Sequence, residues 1–311
     1  MKKLILGIII ILLSYQAIFG MEKGNENKFN ILSELAKHHP DLPMKIIEQG
    51  IKSELRSDSD PAKAVINAFK YINTVMMIDK SWYSQKTELI AMLKALAKKE
   101  LAPEYSDLNQ EKLNNILNKV VIYLFKNAED LGIEFDDIRQ DMLENTASLR
   151  NDYVKLIIAG ANPNVEITQK IGEIPANQSF LQVMIDLEDV NFVSLLLLYG
   201  ADANHKNSAG NSPLVSAIVG HSRSSIEKVK QIIRLLIMFG ADVNERTEAG
   251  VNIPISWTIL SKRPILLELL LTNGAELSEK GISLMKEAIL YCNPKFYKTF
   301  IEIFKKYGYQ I

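Results

Sequence analysis

The chain has little of what most enzymes and metalloproteins rely on. It has 311 residues and one cysteine, Cys292, so no disulfide can form within it and burial has to hold the fold. Histidine occurs four times and tryptophan twice. His38 and His39 stand side by side before Pro40. Neighbours on a helix point apart, so this pair reads as a helix end and not as two metal ligands. An excess of charge is missing too: Lys plus Arg is 36 and Asp plus Glu is 37, which gives no net-charge support for a nucleic-acid partner or an anionic membrane. No G-x-S-x-G, Walker-type loop, H-E-x-x-H or paired-cysteine zinc spacing occurs. The sequence therefore makes no positive case for catalysis, for a cofactor or for a metal site.

Long apolar runs are confined to the N-terminus. Met1-Lys2-Lys3 precedes an apolar stretch from Leu4 to Leu13, followed by Ser14-Tyr15-Gln16-Ala17-Ile18-Phe19-Gly20. That order matches a bacterial-type secretory signal over residues 1–20. The stretch is short against the roughly 20 apolar residues of a membrane-spanning helix. Gly20 suits the position before a cut, but Ile18 is larger than the small residue preferred two places earlier. Two expectations follow: export to the periplasm or medium, or retention by residues 4–19 as an N-terminal anchor. No cysteine follows the run, which disfavours a lipid anchor.

What is abundant is self-similarity. Gly-Ala pairs stand at Gly160-Ala161, Gly200-Ala201, Gly240-Ala241 and Gly274-Ala275, each after a run rich in leucine and isoleucine. The runs read LIIAGANPN, LLLLYGADAN, LLIMFGADVN and LLLTNGAEL, at spacings of 40, 40 and 34 residues. Such a period signals one helical unit stacked on copies of itself. Counting from a small position late in the first helix of each unit removes the irregularity. Met184 to Gly200 and Thr258 to Gly274 are both 16 residues, whereas Ala217 to Gly240 is 23. The excess falls in the polar stretch around His221, between paired helices, and a second excess of the same size falls at 167–176. Both are loop insertions, which repeat arrays tolerate. The series extends provisionally to Gly308, with Cys292 at the small position as a packing residue and not a nucleophile.

The segment Gly210-Asn211-Ser212-Pro213-Leu214-Val215-Ser216-Ala217, followed by LLIMFGADVN, resembles the ankyrin repeat, whose pattern runs G-x-T-P-L-H-x-A, then a helix ending L-L, then G-A-D-x-N. Ser212 replaces the threonine and Val215 the histidine. Ser212 is placed to cap the first helix and Pro213 to occupy its first position, where a missing N–H costs nothing. Gly240 is placed to end the second helix in a left-handed conformation, and Asp242 with Asn244 to open the next turn. The resemblance covers about residues 135–311. It implies an all-α fold: an ankyrin-repeat solenoid of helix-turn-helix units with finger connections and a C-terminal cap. Residues 21–134 show no ladder and read as an α-helical domain of no recognised family, with helices near 29–36, 44–51, 62–78, 85–99 and 108–131.

The resemblance also implies a protein partner, bound by the concave and finger face, and a monomer is expected. The candidate contacts are His205, Lys206, Asn207 and Ser208 on one finger, Glu245, Arg246, Thr247 and Glu248 on the next, and Trp257 on a first helix. Their mixed polarity suits a moderate-affinity interface. Trp257 has two readings, a partner anchor or a side chain packed between repeats. Trp82, in a short connection, reads as core cover. Two other functions stay open: activity in residues 21–134 with the repeats as a targeting module, and an envelope scaffold. A bacterial-type signal joined to such repeats also raises a host-directed role, by analogy alone.

Overall fold

A computed structural model describes residues 42–78, 80–116, 147–167, 178–220, 225–248, 250–277, 282–283, 286 and 294–309. The chain is mostly helical with little strand, an all-α protein. The expected helix near 29–36, most of that at 108–131, the boundary at 134/135, the apolar run at 4–13, and His38, His39, His221 and Cys292 all lie outside the described residues. Among those described, no helix is long and apolar enough to cross a membrane.

The contacts divide the chain into two compact units, the first being Met1–Val120 with Asn145–Ala161 and the second Val121–Glu144 with Asn162–Ile311. In the first, α1 (Leu42–Leu55), α2 (Pro61–Ile78), α3 (Lys86–Leu101) and α4 (Ala147–Ala159) pack together. Asp60 opens α2 as its sequence predicts, its carboxylate accepting from the Ala62 N–H at 2.9 Å with Pro61 in the first helical position. The apolar side predicted for α2, from Ala64 through Ile72 to Met76, is buried. Leu89, Leu93 and Ala97 of α3 are buried, whereas Met92 and Leu96 are half-buried. Trp82 is buried in the connection between α2 and α3. The buried residues of this unit among those described are apolar apart from Gly50 and the hydroxyl-bearing Tyr153.

Gly50 is in the middle of α1 because of Tyr71. A Cβ there would lie 2.2 Å from the Tyr71 hydroxyl oxygen and 2.3 Å from the ring carbon carrying it. Burial first, and the nearby Glu54 carboxylate second, push the Tyr71 phenol up to about 12. Gly50→Ala is expected to destabilise the unit by about 1–3 kcal/mol in urea denaturation through overpacking. Helix propensity alone predicts the reverse sign, a gain of about 1 kcal/mol. The sign of the measured change therefore decides which effect governs.

In the second unit the helices come in pairs joined by short connections. They are α5 (Phe180–Asp186) with α6 (Val190–Leu198), α7 (Pro213–Val219) with α8 (Ile226–Met238), and α9 (Ile253–Leu260) with α10 (Pro264–Thr272). The first helices α5, α7 and α9 pack in a row, α6 packs on α8, and α11 (Pro294–Lys306) packs on α10. All seven residues from Phe192 to Leu198 are buried, as expected of a helix apolar all round. Phe192 meets Phe180 edge to face, at 5.7 Å between ring centroids.

Each Gly-Ala pair ends a helix in the same way. Gly200, Gly240 and Gly274 have φ of 98°, 91° and 84°, and the N–H of the following alanine donates to the carbonyl of Leu196, Leu236 or Leu270 at 2.9, 2.9 and 3.0 Å. The motif recurs at Gly160 in the first unit, and at Gly308, where Tyr309 takes the alanine's place and donates to Phe304 at 2.9 Å.

An asparagine four residues after Gly160, Gly200 and Gly240 then ties one turn to the next. Asn164, Asn204 and Asn244 donate through Nδ2 to the carbonyls of Gly200, Gly240 and Gly274 at 3.1, 2.9 and 2.9 Å. Their Oδ1 atoms accept from the N–H of Asp202, Asp242 and Glu276 at 2.7, 2.8 and 2.8 Å. Asn162, Asp202 and Asp242 hold those asparagines by accepting their N–H at 3.0, 2.8 and 2.8 Å. One side chain thus satisfies a helix-end carbonyl and the amide two residues beyond it, rung after rung.

Candidate functional site

Between each rung and the next first helix the chain makes an excursion, and the candidate contact residues belong to these fingers. The first is a hairpin base in which β1 (Glu166–Ile167) pairs antiparallel with β2 (Gln178–Ser179), on either side of the insertion inferred from the spacing. Fingers two and three share one turn. The Asn207 N–H donates to Asn211 O at 3.1 Å and Gly210 N–H to Asn207 O at 2.8 Å; the Thr247 N–H donates to Val251 O at 3.0 Å and Gly250 N–H to Thr247 O at 2.8 Å. Both glycines have positive φ, 78° and 81°. The side chains of Asn207 and Thr247 close these turns, accepting from the Asn211 N–H at 3.1 Å and the Val251 N–H at 3.2 Å.

Capping residues then start the first helices. Ser179 forms a capping box with Gln182, Ser212 accepts from the Val215 N–H, and Asn252 accepts from the Ile255 N–H. Asn252 is fully buried, and its Nδ2 lies 3.0 Å from the Val243 carbonyl, 3.2 Å from Asn244 Oδ1 and 3.3 Å from the Glu276 carbonyl.

Polar side chains of adjacent fingers meet. Lys206 Nζ lies 2.6 Å from Glu245 Oε1, and His205 Nδ1 lies 3.6 Å from Glu166 Oε1. These geometries sort the candidates. Asn207 and Glu245 are each 8% exposed: the first closes its turn and the second is covered by the Lys206 ammonium. Lys206 is exposed but engaged, and His205 is half-buried. Ser208, Arg246, Thr247 and Glu248 are exposed, with Arg246 Nη1 donating to Gly250 O at 3.4 Å. Trp257 is half-buried on α9, at the position held by Ser216 on α7 and by the buried Val183 on α5.

At the other end of the first helices the connections carry a second polar feature. The Arg263 guanidinium donates to the Gly220 carbonyl, so the α9–α10 connection lies against the end of α7. Burial lowers the Arg263 pKa from its ordinary value, and the charge of Glu188 acts in the opposite sense. Glu188 and Lys262 occupy matching places in two connections and both have positive φ, 54° and 55°. Among the described residues no group of three or more His, Cys, Asp or Glu is placed to hold a metal ion. Comparison with known proteins finds no matching family model and no matching curated protein.

Proposed function

We propose that this chain is an exported ankyrin-type repeat protein whose second unit binds a protein partner through its finger row and adjoining first helices. The observation that carries the reading is the finger turn itself. It is closed by internal hydrogen bonds in fingers two and three, and Lys206 and Glu245 link those fingers, while Ser208, Arg246, Thr247 and Glu248 are left exposed. Backbone fixed before binding lowers the ordering cost of association, and exposed polar side chains of both signs suit a protein surface better than an apolar ligand.

The test is a charge-reversed finger. Arg246→Glu with Glu248→Lys keeps the net charge and spares Lys206, whose loss would strand the buried Glu245 carboxylate. Cross-linking capture from the producing cell, quantified by mass spectrometry, is expected to lose the partner bound by the unaltered chain, at an unchanged melting temperature. Equal recovery of the same partner by both proteins overturns the reading.

A further inference from the structure

Four of the six exposed large apolar side chains among the described residues lie at one edge of the second unit, where first helices end and second helices begin: Val219, Ile226, Leu260 and Ile265, at 40, 36, 61 and 52% exposure. Their placement follows from the helix pairs. Val219 ends α7 and Leu260 ends α9, each two residues beyond the buried small position (Ala217, Thr258), and α7 packs against α9. Ile265 is the second residue of α10, across the connection that Arg263 fastens to Gly220 beside Val219. Ile226 opens α8, which packs on α7. In the first pair the matching residue is Asp186, bonded to Gln178 at 2.7 Å, so the apolar character begins with the second pair. This edge is at the ends of the first helices opposite the finger row, a helix length away from it.

The charges around it are cationic. Lys262, between Leu260 and Ile265, and Lys228, two residues after Ile226, are exposed, and neither ammonium has an acidic partner among the described residues. Of the acids near them, Glu227 is engaged by Lys230 at 3.0 Å, and Glu188, in the matching connection of the first pair, is buried with its charge acting on Arg263. Lys262 holds a left-handed conformation, φ 55°, as Glu188 does at the matching place in the first pair. We propose that this edge is a second docking site, and that it takes a short protein segment whose apolar side chains are flanked by aspartate or glutamate. Apolar anchors would cover Val219, Leu260 and Ile265, and the flanking carboxylates would meet Lys262 and Lys228. A second copy of the chain meeting the edge by two-fold symmetry is disfavoured, because that sets the same cations against one another.

Selection of a random peptide library, displayed on phage, against the full chain tests this. The expected result is a class of peptides that combine two or more apolar residues with Asp or Glu and bind Leu260→Ser at least about tenfold more weakly. Peptides selected on Lys262→Glu are expected to carry Lys or Arg in place of the acids. Arg246→Glu is expected to leave the first class bound, which separates this site from the finger row. Absence of Leu260-dependent peptides overturns the proposal, as does a Leu260-dependent class without acids, or selection of the same acidic class by Lys262→Glu. Leu260-dependent binding to phosphatidylglycerol vesicles without acidic peptides would assign the edge to lipid instead, and a Leu260-dependent dimer in sedimentation would assign it to self-association. Should Leu260→Ser lower the melting temperature, the Lys262→Glu selection decides alone.

Discussion

Asn252→Ala is expected to destabilise the second unit by about 3 kcal/mol, summing roughly 1 for a lost helix cap and 1–3 for buried groups left unsatisfied. The side chain serves two structures at once. Its Oδ1 accepts from the Ile255 N–H at 2.8 Å, which caps α9. Its Nδ2 lies within bonding distance of the Val243 and Glu276 carbonyls, at 3.0 and 3.3 Å, so α9 is also tied to the turns on either side of it. Alanine leaves those partners without replacement in a fully buried place. Asn252→Ser separates the two roles, because serine caps a helix, as Ser212 does on α7, but has no amide to reach the carbonyls. Serine should therefore recover about 1 kcal/mol relative to alanine. Hydrogen exchange in α9 and α10 is the suitable measurement, because a repeat array does not have to unfold in one step. Full recovery by serine would show that the amide contributes nothing, and no recovery would show that the cap contributes nothing.

Asn252 also shows where sequence reading stops. The Gly-Ala ladder, Ser212-Pro213 and the Asp-x-Asn turns are legible because capping and left-handed turns are local chemistry, carried by residues a few positions apart. In α9 the proline is displaced by one, Asn252-Ile253-Pro254, so a search for serine or threonine directly before proline passes over the cap. The usable signal is a polar residue just ahead of the helix at nearly the same distance before the small position, five residues for Ser179 and Ser212 and six for Asn252. Burial of Asn207 and Glu245 was not legible. Each is polar and each lies in a finger; Asn207 folds inward to close its own turn, and Glu245 is covered by Lys206 of the neighbouring finger. The Arg263 bond to Gly220 spans 43 positions between two loops, one lengthened by insertion, and no local pattern encodes it. Side-chain direction within a finger, and contacts between connections, are tertiary facts. They decide which polar residues are left for a partner.

Phe304→Ala is expected to have the largest effect, about 3–5 kcal/mol for an aromatic ring removed from a core, but to confine it to one end of the array. Phe304 is fully buried with Phe300 on the side of α11 that packs against α10, and its ring meets Tyr309 edge to face at 6.1 Å between centroids. Around this contact the Tyr307 hydroxyl lies 2.7 Å from Thr272 Oγ1, and the Tyr309 hydroxyl accepts from the Leu277 N–H at 3.2 Å. All three depend on α11 staying in place. Among the described residues α11 packs on α10, so without this ring α11 should detach and expose the side of α10 that it covers. Exchange in α10 and α11 should then rise steeply, while α5 to α8 keep their protection. Lys306→Ala, which removes only the exposed ammonium 2.6 Å from Glu268, should leave the whole pattern unchanged. Loss of protection from α5 onward in Phe304→Ala would mean that the unit unfolds as a single cooperative body, and that its stability is not the sum of neighbouring pairs.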